Sequence, residues 1–198
     1  MQRWEESGNP WTVRSVTRPF ENAWFAIDAH DTLNPAGNPA SYAVIRIRRR
    51  AVGVLPIDGK GHVHMVGQWR FPLGRYSWEM PEGGAEPGED TADCARRELK
   101  EETGLSASDL VEILRMDLSN SLTDENAVLY LAFGLTDGEA EPEETEVLAR
   151  RSAPFAEVLE RVVTGEITDS LTVAAVLRAH HMAVTGRLPE ALARVMLP

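Results

Sequence analysis

The chain has a single cysteine, Cys94, so no intramolecular disulfide can form and a reducing, cytoplasmic setting is expected. Positive charge is scarce: 20 Lys and Arg stand against 31 Asp and Glu, a formal net charge of -11. Such a surface repels polyphosphate backbones and anionic lipid, which excludes general nucleic-acid binding and docking on acidic membranes. No apolar run is long enough to span a bilayer, and the opening MQRWEESGNPW has no apolar signal-peptide core. Internal repeats, low-complexity tracts and the alternating Asp/Asn loop of an EF-hand are all missing. His180-His181 has no matching acid or cysteine and reads as surface rather than zinc ligation. What remains is 198 residues, 43% of them hydrophobic, enough to bury one sizeable core.

The informative segment is GGAEPGEDTADCARRELKEETGL, from Gly83 to Leu105. A glycine-rich turn, Gly83 to Gly88, runs into a helical stretch that places Glu98, Glu101 and Glu102 within a little over one turn. At about 100° per residue, Glu98, Glu101 and Glu102 share one face, while Ala92, Ala95, Leu99 and Thr103 gather on another that can pack. Crowded carboxylates repel, so this face either lies in open solvent or surrounds bound positive charge. An oxygen-rich cluster suits hard cations, chiefly magnesium or manganese. Arg97 stays protonated beside the acids and can orient them through forked hydrogen bonds. Gly104 offers a left-handed helix end before Leu105.

The spacing resembles the Nudix box, Gly-x5-Glu-x7-Arg-Glu-aliphatic-x-Glu-Glu-x-Gly-aliphatic. Gly83, Glu89, Arg97, Glu98, Leu99, Glu101, Glu102, Gly104 and Leu105 fill every fixed position without insertion. The resemblance implies a Glu89–Arg97 structural brace, Glu98 and Glu102 as main metal ligands, Glu101 beside them, and the backbone carbonyl of Glu82 as a further ligand. It also implies an α/β fold, the Nudix-type α/β/α sandwich with a mixed sheet, extended here by extra amino-terminal strands.

The pattern around the box fits that architecture. Strands are expected at Trp11 to Thr17 and Ala23 to Ile27, then within YAVIRIRRRAVGVLPI from Tyr42, and from His62 to Arg70. Val111 to Leu118 and Ala127 to Phe133 follow the box helix as further strands. Phe155 to Val163 and Leu171 to His181 show helical periodicity, the second capped by Asp169 or Ser170. Residues 1–40 are accordingly expected to form an amino-terminal extension for dimerisation and pocket building, and residues 41–198 a catalytic domain.

Outside the box, WRFPLGRYSWEMPEGG and GEITDSLTVAAV resemble the branch of ADP-ribose pyrophosphatases and nucleoside diphosphate sugar hydrolases. Members of that branch are typically homodimers in which amino-terminal strands help build the partner's substrate pocket. ADP-ribose-selective members commonly carry a proline about sixteen residues beyond the box, where this chain has Ser119-Asn120-Ser121. A broader nucleoside diphosphate sugar preference follows. The resemblance places a general base in the acidic segment GEAEPEETE, at Glu146 or Glu144, with Glu101 and Glu125 next in order. Arg70 and Arg75 either reach the substrate's phosphates or serve as surface charges, with a salt bridge to Glu79 as the alternative; Glu125 is a further candidate for the substrate side. Trp24 or Phe25 either stacks on a nucleobase or packs inward. The expected reaction is metal-dependent cleavage of the pyrophosphate bond in ADP-ribose or a related nucleoside diphosphate sugar. Hydrolysis of dinucleoside polyphosphates or nucleotides, and non-catalytic sensing of a nucleotide sugar, are the alternatives.

Overall fold

The computed structural model describes residues 6–139 and 147–197. They form two compact units. One runs to Arg48 and also takes in Asp117–Glu125; the other comprises Arg49–Met116 and the chain from Asn126 onward. Among the described residues no helix is long and apolar enough to cross a membrane.

The first unit is an antiparallel sheet of β1 (Thr12–Glu21), β2 (Phe25–Leu33) and β3 (Pro39–Ile47), in that order. Asn22 shapes the first turn, its side-chain oxygen accepting the N–H groups of Trp24 and Phe25 at 2.8 Å each. Asn34 does the same at the second turn for Ala36 and Asn38, with Gly37 at φ 80° closing it. These are the local side-chain-to-backbone bonds that favour asparagine in turns. Segment 117–125 is stitched to β3: Ile45 N–H donates to the Leu122 carbonyl, Ile47 N–H to Asp124 Oδ1 and Tyr42 Oη to the Ser121 carbonyl. On the sheet itself, Asp28 is bracketed by Arg18 (2.8 Å) and Arg46 (3.1 Å).

The second unit contains, in chain order, β4 (Arg50–Pro56), β5 (His62–Arg70), β6 (Arg75–Glu79), β7 (Glu82–Ala85), α1 (Thr91–Thr103), β8 (Ser106–Asp117), β9 (Asn126–Thr136), β10 (Ala149–Pro154), α2 (Phe155–Val163), α3 (Ser170–Val184) and α4 (Glu190–Met196). One sheet has the order β7-β4-β9-β8; β4 runs parallel to β9 and antiparallel to β7, so the sheet is mixed, as expected. A second sheet has the order β10-β5-β6. Val52 and Val54 of β4 and Val128, Tyr130 and Ala132 of β9 pack with Cys94, Ala95 and Leu99 of α1. Side chains alternate along a strand, so Gly53, Leu55, Leu129 and Leu131 point to the opposite face, and α3 packs on these same two strands. Helix, mixed sheet, helix is the layering the box resemblance implies.

Four elements escape the sequence pattern: β6, β7, β10 and α4. Strand β7 reads EGGA, which suggests a loop, yet its register with β4 runs from Arg50↔Ala85 to Gly53↔Glu82. Gly83 and Gly84 are therefore strand residues, and the turn of the box proper is Glu86 to Glu89, with Gly88 at φ 88°. The buried face of α1 is also rotated from expectation. It carries Cys94, Ala95, Leu99 and Glu102, while Ala92 packs partly against it. The helix begins at Asp90, whose side chain accepts Ala92 N–H, and ends at Gly104, φ 79°, whose N–H returns to the Lys100 carbonyl. Trp24 lies in the turn between β1 and β2 rather than in a strand and is 64% exposed; Phe25 packs against Phe20 at 5.5 Å between ring centroids.

Candidate active site

Strand β7 and helix α1 bring the box carboxylates together. Gly83 has no room for a side chain because Glu98 occupies that space, and a Cβ on Gly84 would meet the Arg49 side chain in a looser contact of 3.0 Å. Arg97 grips Glu89 with Nε and Nη2 at 3.0 and 3.1 Å, and reaches Glu98 at 2.8 Å and Glu101 at 3.0 Å through Nη1. That contact holds the Glu89 carboxyl below the usual range, and the guanidinium is pushed further up by Glu89. Glu102, 1% exposed, accepts the Glu82 N–H with Oε2 at 3.2 Å. Three acids thus stand around one arginine, and Glu102 is held separately by the Glu82 backbone. Cys94 is buried beneath them and its thiol is pushed up to about 12 by burial and then by the charge of Glu98, so it stays protonated.

A second cluster lies on the β6–β7 side. Carboxylate oxygens of Glu79, Glu82 and Asp169 all lie within 4.8 Å of one another. Arg70 binds both oxygens of Glu79 through Nε at 3.0 Å each, and its Nη2 lies 2.6 Å from both Glu79 Oε2 and Glu82 Oε1. Glu82 Oε2 is buried and has no hydrogen-bond partner among the described residues. Burial, then Asp169 and Glu79, push the Glu82 carboxyl well above its ordinary range, against the pull of Arg70. Asp169 also caps α3 by accepting Thr172 N–H at 2.7 Å, and Thr172 Oγ1 accepts Met80 N–H at 2.9 Å.

The box residues Glu89, Arg97, Glu98, Glu101 and Glu102 are therefore assembled as the spacing suggests, with the Glu82 backbone tied to Glu102. Arg70 takes up its salt bridge to Glu79. Arg75 donates to Thr168 Oγ1 at 2.9 Å. Glu125 belongs to the first unit, where partial burial raises its carboxyl. Glu144 and Glu146 lie outside the described residues. Sequence reasoning took Asp169 only as a helix cap; its approach to Glu79 and Glu82 bridges some ninety residues and has no local signal.

The donor set suits a hard divalent cation. All the side-chain donors are carboxylate oxygens, acids outnumber the arginines between them, and the Glu98 carboxylate sits on a backbone that a Cβ would obstruct. The NUDIX domain profile matches residues 47–177. The chain is 34% identical over 185 residues to an ADP-ribose pyrophosphatase of Mycobacterium tuberculosis (strain ATCC 25618 / H37Rv), spanning 91% of this chain and 88% of that protein. It is 33% identical over 159 residues to a methanol dehydrogenase activator of Bacillus methanolicus, spanning 79% and 85%. A crystal structure of an ADP compounds hydrolase superposes with a TM-score of 0.82 at 22% identity, over 93% of this chain and 100% of that one, a likeness of fold. With an uninterrupted box whose arginine grips its acids, and a domain match across most of its length, the chain belongs to the Nudix hydrolase family.

Proposed function

We propose that the protein hydrolyses the pyrophosphate bond of ADP-ribose or a related nucleoside diphosphate sugar, giving a nucleoside monophosphate and a sugar phosphate. The observation that carries this reading is the Arg97-held group of Glu89, Glu98 and Glu101 beside buried Glu102, in a chain one-third identical to an ADP-ribose pyrophosphatase over nearly its whole length. Glu98, Glu102, Glu101 and the Glu82 carbonyl would hold magnesium, with manganese as the alternative. Such an ion supplies charge masking for the diphosphate and polarises phosphorus. Water adds to one phosphorus, the bridging P–O bond breaks, and the water's proton passes to a carboxylate, Glu146 or Glu144 before Glu101 or Glu125. Arg70 and Arg75 are proposed contacts for the substrate's phosphates, Arg70 by exchanging part of its bonding to Glu79 and Glu82.

The Ser119-Asn120-Ser121 sequence favours a range of nucleoside diphosphate sugars over strict ADP-ribose selectivity. A homodimer is supported by β1, exposed along all ten residues with Val13, Val16 and Phe20 uncovered. The acidic balance argues against a nucleic-acid partner, and the lone thiol is consistent with the cytoplasm.

The test is a panel of ADP-ribose, ADP-, GDP- and UDP-sugars, nucleotides and dinucleoside polyphosphates with magnesium, products resolved by chromatography. Nucleoside monophosphate plus sugar phosphate from at least one nucleoside diphosphate sugar is expected. Preferred cleavage of a dinucleoside polyphosphate would replace the substrate class, and tight binding without turnover would make the protein a sensor.

A further inference from the structure

Helix α1 ends against chain that arrives from far along the sequence. Arg150 of β10 donates from Nε to the carbonyl oxygen of Glu102 at 2.7 Å. The last carbonyls of a helix lack donors within it, so this bond satisfies one of them and sets a cation at the negative end of the helix dipole. Gly138, just beyond β9, closes in on the same end: a Cβ there would lie 2.8 Å from the Gly104 carbonyl oxygen. Strand β10 is itself fixed by pairing with β5, Arg150 opposite Val66, so the guanidinium springs from a sheet rather than from a loose loop.

The residue whose carbonyl is held is the buried acid of the helix. Glu102 is enclosed, and its carboxylate meets the Glu82 N–H across to β7. A terminal helical turn is the first to fray, and Glu102 lies in that turn while Glu98 lies one turn deeper. We infer that Arg150 is a positioning residue for the cation site, holding the Glu102 backbone so that its carboxylate stays in register with Glu98; this rests on the reading of Glu98 and Glu102 as cation ligands. Helix capping alone would stabilise the fold but leave cation affinity untouched.

Manganese binding separates the two, read from the electron paramagnetic resonance signal of free Mn2+, alongside thermal unfolding without metal. Wild type, Arg150→Gln, Arg150→Lys and Glu102→Gln are compared. Arg150→Gln is expected to bind Mn2+ about 10-fold more weakly, the usual scale for losing a group that orients a metal ligand. Arg150→Lys keeps the charge without the fixed planar fork and should show a smaller loss. Wild-type affinity in Arg150→Gln, with or without a lower Tm, overturns the inference; if that variant does not fold, wild-type affinity in Arg150→Lys does so. Undiminished binding by Glu102→Gln would instead overturn the ligand assignment on which it rests.

Discussion

Glu98 fills the space that a side chain at residue 83 would need: a Cβ on Gly83 would lie 2.0 Å from Glu98 Oε1 and 2.2 Å from its Cδ. Gly83→Ala must therefore push a proposed metal ligand aside. Turnover should fall on the order of 10²-fold, as for a displacement of about 1 Å at a reacting centre. Circular dichroism should show the fold intact. Activity close to wild type would mean that the Glu98 carboxylate moves freely without consequence.

Removing the cation or one of its ligands should have the same effect by two routes. Chelation is expected to abolish hydrolysis, and Glu102→Gln to lower it by orders of magnitude across a magnesium titration. The variant should fold at least as well as wild type, because it buries a neutral amide where a carboxylate stood among like charges. A folded Glu102→Gln protein with ordinary turnover would remove Glu102 from the ligand set.

Arg70 and Glu79 form a pair whose acid is 2% exposed. Arg70→Ala leaves that carboxylate uncompensated and should cost about 3 kcal/mol of stability. Adding Glu79→Gln to Arg70→Ala should return part of the loss, because the stranded charge is gone. Urea denaturation of the single and double variants measures the difference; no recovery in the double variant would mean that packing, not charge, sets the cost.

In the first unit, the hydrogen bond from Arg18, and then that from Arg46, hold the Asp28 carboxyl below its ordinary range despite its burial. A depressed carboxyl binds fewer protons in the folded chain than in the unfolded one, so its contribution is complete above the ordinary carboxylate range and fades as pH falls through the depressed value. Asp28→Asn should therefore be less stable than wild type near neutral pH, with the gap narrowing below about pH 4. Denaturation curves at several pH values test this; a gap that widens in acid contradicts it.

Light scattering should report a dimer for the whole chain. Deleting residues 1–27, which removes β1 and the start of β2, should impair both association and substrate binding. An active monomer at assay concentration would contradict the dimer.

Where the sequence carried a local signal, it was readable. The box resemblance located α1, its Gly104 end and the Arg97 brace, because each depends on residues close together in the chain, while the Asp90 cap that starts the helix was not anticipated. Strand β7 was hidden because the glycines that make room for Glu98 also look like a loop. Helix α4 had a faint mark, Leu192 and Met196 four apart behind Pro189, easily lost in so short an element. The bond from Arg150 to Glu102 and the close approach of Asp169, Glu79 and Glu82 exist only after the chain has closed on itself, and no periodicity encodes them.

Segment 117–125 has a consequence for anyone who would separate the two units with a gene boundary. Its residues pair with Ile45 and Ile47, yet the chain reaches them from β8 and leaves them into β9. The polypeptide therefore passes between the units three times, after Arg48, after Met116 and after Glu125. A single stop or start codon near residue 48 cannot yield either unit whole: the shorter fragment loses the segment that borders β3, and the longer one keeps that segment with its hydrogen-bonding partners gone. Clean separation requires a linker in place of 117–125, and the amino-terminal piece would have to carry a grafted copy of that segment.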